Sequence, residues 1–469
     1  MAKYHMVWRM IMANKYFYIF IIFSLILFLL IVDNAQAQNK TCSVIQLTDG
    51  DQDSDSPAVC GNGSGILISS RADLANNGHA DQPDLFFVDI RNFNNPVFYQ
   101  LTNTPESERG PSISGDCSEI AFNSQSNLTG GNLSNFSQLF YADINDPNSP
   151  IFTQLTNFTS NEIINGNISG DGTKLAVSSN VDITGMNPDE SVEFFIYDHN
   201  NLVVPFAQLT NDPTNSGSIS SSPISNFDGS RAAFITSQDF IPPGNNANGG
   251  RELYLSEISY NPPNIPASTL YQITDFPNGD FRAQGAQFAV GGDYILISSN
   301  ANITGMNPDE NPDFFLVDVT NPATPVFTQI TKSNDFTGAF GIIDSTATKM
   351  AFETSNPDFT PPGSDTSDQI IFADITNPNA PNIMSLTNFT NDADVDDLSA
   401  PDDFSYIAFE SDSDLVPGGN SDGSEEVFIL LTSNCLVSIP TLSEWGLIAM
   451  AGVLGIVGFM VMRRKKVTV

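Results

Sequence analysis

Short apolar segments alternate with polar turns throughout residues 38–440, and no stretch there sustains the 3.6-residue apolar period of an amphipathic helix. Gly, Pro, Asn and Ser interrupt the chain at short intervals, as they do in proteins built from many short strands. The pattern therefore predicts an all-β protein in which helices are nearly absent.

The tripeptide Gln-Leu-Thr, or a close variant, recurs at intervals of 54 to 64 residues, which indicates a repeat architecture. A Gly-containing turn and an apolar strand follow each copy, as in residues 169–177, and a polar loop then leads to an aromatic strand, as in residues 194–198. Each repeat thus predicts about four short strands. The copies begin at Gln46, Gln100, Gln154, Gln208, Gln272, Gln329 and, as Ser-Leu-Thr, Ser385.

Four-stranded units that cannot bury both faces alone are expected to stack radially into a β-propeller. The strand at Gln46 has no complete unit before it, whereas the last unit stops after its aromatic strand at residues 427–431. We therefore predict seven blades, closed by the N-terminal strand docking into the last blade. Closure removes the exposed sheet edges that an open solenoid, the alternative, would keep.

The two ends of the chain are apolar. Residues 1–37 have the pattern of a secretory signal peptide, in which Lys3, Arg9 and Lys15 precede an apolar run and Ala35-Gln36-Ala37 follows it. A retained N-terminal anchor is the alternative. Residues 445–462 predict a transmembrane helix, and the basic residues 463–466 after it place its end in the cytoplasm. The ectodomain, assigned to residues 38–436, is then exported.

The segment between the apolar ends is strongly acidic. Residues 38–440 contain 10 basic and 52 acidic residues, a net charge of −42. Such a surface repels nucleic acid and anionic lipid headgroups, so no nucleic-acid partner is expected, and cations are the natural small partners. A simpler reading is that the charge only keeps an exported protein soluble.

All four cysteines lie in the exported part, where disulfides form readily. Four cysteines allow three pairings. Cys42 and Cys435 flank the repeat region, and Cys60 and Cys117 occupy similar points of consecutive repeats. We expect bonds Cys42–Cys435 and Cys60–Cys117, with a free thiol pair as the alternative.

Residues for hydrolytic chemistry are scarce. Of the three histidines, His5 lies in the signal peptide, and His79 and His199 lie in unrelated repeats, which argues against a Ser-His-Asp triad. A Gly-x-Ser-x-Gly match at residues 419–423 lacks a following helix and histidine. Paired carboxylates of a glycosidase are not excluded by sequence, because only their separation in space would reveal them.

Two nearly identical loops, at residues 182–190 and 302–310, are the sharpest candidate site, and looser copies of them lie at residues 73–84 and 414–426. Asp, Asn and Glu oxygens suit Ca²⁺, although the same residues also cap turns through their own side chains. The loops predict calcium, as the only cofactor suggested, at Asp182, Asn187, Asp189, Glu193, Asn302, Asn307, Asp309 and Asp313.

The Leu-Thr strand, Ser-x-Asp-Gly turn and apolar strand together resemble the WD40-like repeat of TolB-type propellers, over nearly all of residues 46–432. The C-terminal sequence resembles the IPTL-CTERM sorting domain, which implies recognition by an exosortase-type membrane transpeptidase; a plain C-terminal anchor is the alternative. The sorting motif comprises Ile439, Pro440, Thr441, Leu442, Trp445 and Gly446.

Together these features predict an exported surface propeller that acts as a binding or structural module without catalysis, with an extracellular protein or polysaccharide as ligand. A hydrolase that uses carboxylates in the central channel, and a passive acidic matrix protein, are the alternatives.

Overall fold

Seven four-stranded antiparallel sheets make up the computed structural model of the protein. It describes residues 42–75, 82–160, 164–212, 223–240, 246, 249–261, 265–276, 283–333, 335, 338 and 340–435. The chain divides into residues 1–41 and the unit Cys42–Val469, to which all the described residues belong. The seven-bladed propeller predicted from the repeat is confirmed.

Blade 1 contains β2 (Ser54–Val59), β3 (Gly65–Ser70), β4 (Asp84–Asp89) and β5 (Val97–Gln100). Blade 2 contains β6 (Glu108–Ile113), β7 (Glu119–Ser124), β8 (Gln138–Asp143) and β9 (Ile151–Gln154). Blade 3 contains β10 (Ile164–Ile168), β11 (Lys174–Ser179), β12 (Glu193–Asp198) and β13 (Phe206–Gln208). Blade 4 contains β14 (Ile224–Ser225), β15 (Arg231–Thr236), β16 (Glu252–Asn261) and β17 (Ile265–Gln272).

Blade 5 contains β18 (Ala283–Phe288), β19 (Tyr294–Ser299), β20 (Asp313–Asp318) and β21 (Val326–Gln329). Blade 6 contains β22 (Gly341–Ile343), β23 (Lys349–Thr354), β24 (Gln369–Asp374) and β25 (Asn382–Ser385). Blade 7 contains β26 (Asp396–Ser399), β27 (Ile407–Ser411), β28 (Glu426–Leu431) and, as its fourth strand, β1 (Ser43–Gln46). A 3-10 turn, Thr432–Asn434, follows β28.

The N-terminal strand closes the ring, as predicted. Strand β1 pairs antiparallel with β28, from Ser43 opposite Leu431 to Gln46 opposite Phe428. A disulfide between Cys42 and Cys435 covers this seam, with a Cα–Cα distance of 5.0 Å. Cys60 and Cys117 form the second disulfide, at 5.3 Å, so both predicted pairings are confirmed.

The apolar core lies between adjacent blades. The second and third strands of each blade are buried on both faces, so their side chains pack against the blade on either side. At the seam, Ile66 and Phe86 of blade 1 share one apolar cluster with Ala408 and Val427 of blade 7. Blades 7 and 1 are thus joined by the same kind of packing as consecutive blades.

The turns between first and second strands touch their neighbours around the ring. The Gly115 N–H donates to the Gly170 carbonyl at 2.7 Å, and a Cβ added at Gly115 would lie 2.9 Å from that oxygen. Among the described residues, backbone hydrogen bonds of this kind connect neighbouring blades at six of the seven junctions, through Asn62–Gly115, Gly115–Gly170, Asp171–Phe227, Phe227–Val290, Ser345–Asp402 and Asp402–Gly61. We call this side of the propeller the turn edge and the opposite side the loop edge.

Each blade also contains one hydrogen-bonded unit, which we call the threonine clasp. In blade 2, Thr156 Oγ1 accepts a hydrogen bond from the Leu139 N–H and donates one to Gln138 Oε1, both at 2.9 Å. A hydroxyl can accept and donate at once, so one threonine satisfies both groups. The clasp threonines are buried, and they are Thr48, Thr102, Thr156, Thr210, Thr274, Thr331 and Thr387.

The partner of the clasp threonine is always the first residue of the third strand, and it is an acid or a glutamine. These partners are Asp84, Gln138, Glu193, Glu252, Asp313, Gln369 and Glu426. The recurring Gln-Leu-Thr therefore marks the point where the outer strand is tied to its neighbour within each blade.

Replacing Cys42 and Cys435 by serine should lower the free energy of unfolding more than replacing Cys60 and Cys117. The first bond spans 393 residues and the second 57, so the first restricts the unfolded chain more. In the chain-entropy treatment it stabilises the folded protein by about 2 kcal/mol more than the second bond. Denaturant unfolding of the two double variants measures the difference. Equal losses would show that the seam bond adds nothing specific to ring closure.

Replacing Thr156 by valine should cost about 1–3 kcal/mol, because the buried Leu139 N–H and Gln138 Oε1 each lose a partner. Thr153→Val, on the exposed side of β9, is the matched control and should change the free energy of unfolding by less than about 0.5 kcal/mol. A loss of the same size in both variants would contradict the clasp.

Candidate functional site

The two loops predicted to bind calcium connect the second and third strands of blades 3 and 5, at the loop edge. The Asp182 carboxylate accepts the Asn187 N–H at 2.8 Å, and Asn302 Oδ1 accepts the Asn307 N–H at the same distance. Asp182 and Asn302 therefore close their own loops, as turn-capping side chains do.

Three of the four residues predicted in blade 3 converge around a residue that the prediction omitted. The Ser191 hydroxyl oxygen lies 3.1 Å from Asn187 Oδ1, 3.1 Å from Asp189 Oδ1 and 2.8 Å from Glu193 Oε1. A hydroxyl carries one proton, so three acceptors face a single donor.

The loop of blade 5 is arranged differently at the same positions. Asn311 occupies the place of Ser191, and its side-chain amide lies 3.4 Å from Asp309 Oδ2. Both oxygens of Asp313 are engaged, by Gln329 Nε2 at 2.9 Å and Thr331 Oγ1 at 2.7 Å. Asn307 is 1% exposed, and its Oδ1 has no hydrogen-bond partner. Calcium binding by the loops of blades 3 and 5 remains a prediction.

A third loop has the same spacing and belongs to blade 7. The sequence Asn420-x-Asp422-x-Ser424-x-Glu426 matches Asn187-x-Asp189-x-Ser191-x-Glu193 of blade 3 in residue type at every named position. This repeated spacing is the signal that could have identified Ser191 and Ser424 from the sequence.

The oxygen atoms of this third loop converge in the same manner. Ser424 Oγ lies 2.9 Å from Asp422 Oδ1 and 3.1 Å from Glu426 Oε1. The Asn420 amide donates from Nδ2 to the Ser424 carbonyl at 2.7 Å, as Asn187 does to Ser191 at 2.8 Å. One further oxygen here, Asn420 Oδ1, is buried and has no hydrogen-bond partner.

Burial raises the pKa of Glu193 and of Glu426 above the usual value for glutamate, against the opposing effect of their hydrogen bonds. Each also lies near a further acid, Asp212 and Asp49 respectively. Within the part of the chain that the structure describes, no group of three or more His, Cys, Asp or Glu side chains has metal-binding geometry. The cluster around each serine contains two carboxylates, Asp189 and Glu193 in blade 3 and Asp422 and Glu426 in blade 7, and its other side-chain oxygens belong to an amide and a hydroxyl group.

A second acidic feature lies at the loop edge where blades 6, 7 and 1 meet. First strands begin at this edge and second strands end there, so acids from several strands come together. Burial is the largest cause of a raised pKa at every member, and repulsion by other carboxylates adds to it. We call this set the acidic mouth, and it comprises Asp55, Glu353, Asp368, Asp396, Asp397, Glu410 and Glu425.

The backbone is irregular within the acidic mouth. The pairing of β2 with β3 shifts between Asp55 and Ala58, and that of β26 with β27 shifts between Asp396 and Ser399. Ser56 and Asp397 lie inside these bulges with φ of 54° and 50°, a left-handed conformation that costs energy for residues other than glycine. The Ser56 N–H donates to Glu410 Oε2 at 2.8 Å, which links blade 1 to blade 7.

A close pair of carboxylates is buried in the interior of the protein. Asp84 and Glu108 are 0% and 1% exposed, and burial raises the pKa of Glu108, which also faces Asp84. Thr102 and Ser124 donate hydrogen bonds to this pair, at 2.9 Å from their respective partners. The pair is therefore part of the hydrogen-bonded interior of blades 1 and 2.

His199 lies at the turn edge, away from the acidic mouth. Its ring stacks on Tyr141 with centroids 4.6 Å apart and planes inclined by 15°. The two rings line a cleft of about 320 Å³ between blades 2 and 3, together with Glu119 and Asp171.

The sorting motif, signal peptide and C-terminal apolar segment lie outside the described residues, and so does His79. Among the residues that are described, no helix is long and apolar enough to cross a membrane.

The IPTL-CTERM motif matches residues 437–464, as the C-terminal sequence predicts. No curated protein sequence matches the chain.

Several solved structures resemble this one. A prolyl endopeptidase is 14% identical with a TM-score of 0.54, over 82% of this chain and 48% of the other. This chain thus spans about half the length of that enzyme, and the likeness shows the fold alone. TolB of Agrobacterium tumefaciens is 16% identical over 71% of this chain and 94% of its own, with a TM-score of 0.36.

TolB of Acinetobacter baumannii is 13% identical over 82% of this chain and 65% of its own, with a TM-score of 0.34. At these TM-scores the TolB structures add no weight to the fold, which follows from the seven sheets themselves. The chain is a seven-bladed β-propeller whose residues 437–464 match the IPTL-CTERM motif.

Proposed function

We propose that the protein is exported, delivered to the cell surface by an exosortase-type system, and acts there as a non-catalytic binding or structural module. The IPTL-CTERM motif at residues 437–464 carries this proposal, because such a motif implies sorting of the domain that precedes it. The predicted signal peptide, residues 1–37, supplies the route out of the cytoplasm.

The disulfides support an extracellular location. Cys42–Cys435 and Cys60–Cys117 use all four cysteines of the chain, and such bonds persist in oxidising compartments. The first bond also lies just ahead of the sorting motif. The propeller seam would thus stay covalently closed after cleavage near residues 439–442.

The acidic mouth is the surface that we assign to binding. It combines a high density of carboxylates with strained residues in the bulges of β2 and β26, and such strain persists where a fold is shaped for function. An extracellular protein or polysaccharide that presents basic groups complements this charge. A passive acidic matrix role would require no such partner.

The arrangement of other titratable groups also supports a binding role. Asp84, Glu108 and Glu193 are buried and hydrogen-bonded within the blades, so their hydrogen bonds stabilise the fold. A screen on glycoside and ester substrates tests the alternative, and turnover abolished by an aspartate substitution in the mouth would favour a hydrolase.

Replacing Ile439, Pro440, Thr441 and Leu442 by alanine should leave the C-terminal segment uncleaved and hold the protein at the membrane. Thr468→Ala, beyond the matched residues, is the control and should be processed normally. Cell fractionation and mass spectrometry of the mature chain measure both. Normal surface delivery of the alanine variant would contradict the sorting proposal.

The protein should lose stability as the pH rises from about 4.5 to about 8. Burial and neighbouring carboxylates raise the pKa of Glu353 and of Glu410 to about 8, and that of Asp368 to about 6. The folded state therefore binds more protons than the unfolded state in this range, and stability falls with increasing pH. Thermal melts at successive pH values measure the slope.

Glu353→Gln should reduce that slope and raise the melting temperature at pH 8.5 by a few degrees, because the variant has no charge to bury. Glu310→Gln, on the exposed loop of blade 5, is the matched control and should leave the slope unchanged. A slope that is the same in wild type and Glu353→Gln would show that the acidic mouth does not control the pH dependence.

A further inference from the structure

We infer that the loop of blade 7 binds one Ca²⁺ ion through Asn420, Asp422, Ser424 and Glu426, at the seam where the ring closes. This site does not depend on the proposed function. It lies in a looser copy of the candidate loop, whereas the residues that the sequence predicts as calcium ligands belong to blades 3 and 5.

A buried oxygen without a partner points to a ligand. Asn420 is 4% exposed, yet its Oδ1 accepts no hydrogen bond. Leaving such an acceptor unsatisfied costs about 1–3 kcal/mol. A cation held by the carboxylates of Asp422 and Glu426 would satisfy this oxygen.

The orientation of the Asn420 amide directs its oxygen into the cluster. Its Nδ2 donates to the Ser424 carbonyl at 2.7 Å and to the Asp412 carbonyl at 3.0 Å, which fixes the plane of the amide. In blade 3 the equivalent Asn187 makes the same bond to Ser191, and its Oδ1 lies 3.1 Å from the Ser191 hydroxyl. Because Asn420 makes the same Nδ2 bond, its unpartnered oxygen lies on the side of Ser424 by analogy with blade 3.

The donor set selects a hard cation of moderate size. Two carboxylates, one amide oxygen and one hydroxyl are oxygen ligands that Ca²⁺ accepts, and water can complete its six to eight positions. Zn²⁺ prefers the nitrogen and sulfur ligands that this loop lacks, and Mg²⁺ demands a stricter octahedral geometry.

Other blades show what the same loop does without this donor set. In blade 6 the corresponding residues are Gly363, Asp365, Ser367 and Gln369, and in blade 2 they are Asn132, Ser134, Phe136 and Gln138. The clasp position is a neutral glutamine in both, and the clasp still forms. The fold therefore does not require the carboxylate of Glu426, which leaves that charge available for an ion.

The position of Glu426 connects the ion to ring closure. Its Oε1 accepts the Gly50 N–H at 2.8 Å, and the next residue, Val427, donates its N–H to Thr48 Oγ1 at 2.8 Å. Gly50 and Thr48 belong to the N-terminal segment that completes blade 7. A cation bound by Glu426 would fix the position of this carboxylate and so tighten the seam.

Equilibrium dialysis of the purified full-length protein against radioactive Ca²⁺ counts the bound ions. Asp422→Asn and Glu426→Gln should each bind one ion fewer than wild type. The site lost in these variants should have a dissociation constant of about 10⁻⁴ to 10⁻³ M, as is typical of extracellular modules. Asp365→Asn removes the equivalent charge from blade 6 and should bind as many ions as wild type. Millimolar Ca²⁺ should also raise the melting temperature of wild type more than that of Asp422→Asn.

Three results would overturn the inference: no bound Ca²⁺ in wild type, the same number of ions in Asp422→Asn as in wild type, or an equal loss in Asp365→Asn. Circular dichroism of each variant shows that its fold is retained. Glu426→Gln introduces the residue that blades 2 and 6 have at this position, so we expect this variant to fold. Its Ca²⁺ count therefore tests the site even if Asp422→Asn fails to fold.

Discussion

The pairing of β1 with β28 is the interaction on which the rest of this structure depends. Each blade buries its faces only against its neighbours, so blades 1 and 7 would each expose an apolar face and a sheet edge if the ring were open. The four residues of strand β1 prevent this exposure by pairing with β28. The seam accordingly combines backbone pairing, a clasp, a disulfide and the link from Ser56 to Glu410.

A fold of this size is held together by repetition of small, fully satisfied polar units within an apolar interior. The third strand of each blade begins with a buried acid or glutamine, and burying such a side chain without hydrogen-bond partners would be costly. The clasp threonine supplies a partner to that side chain and to the adjacent backbone N–H. Seven copies of this hydrogen-bonded unit explain why Gln-Leu-Thr or a close variant recurs in every blade, although the loops between the copies vary in length.

The fold could be predicted from the sequence because its determinants are local and repeated. The strands, the blade number, the closing strand and both disulfides follow from spacing along the chain, and each is confirmed. The side-chain partners could not be predicted in the same way. Asn187, Asp189 and Glu193 all contact Ser191, which the sequence prediction omitted, and the tie of Glu193 to Thr210 joins positions 17 residues apart, which only the register of β12 and β13 reveals.

The acidic residues at the loop edge can be understood as a balance between charge and closure. Mutual repulsion in the acidic mouth opposes the meeting of blades 6, 7 and 1, and burial of Glu353 and Glu410 adds to that cost. The covalent bond at Cys42–Cys435 acts at the same junction and offsets it. Positive charge from a basic partner, or from an ion at Glu426, would act in the same direction. The occupancy of the loop edge and the tightness of the ring are therefore thermodynamically linked, since a ligand that favours the closed ring must also be favoured by it.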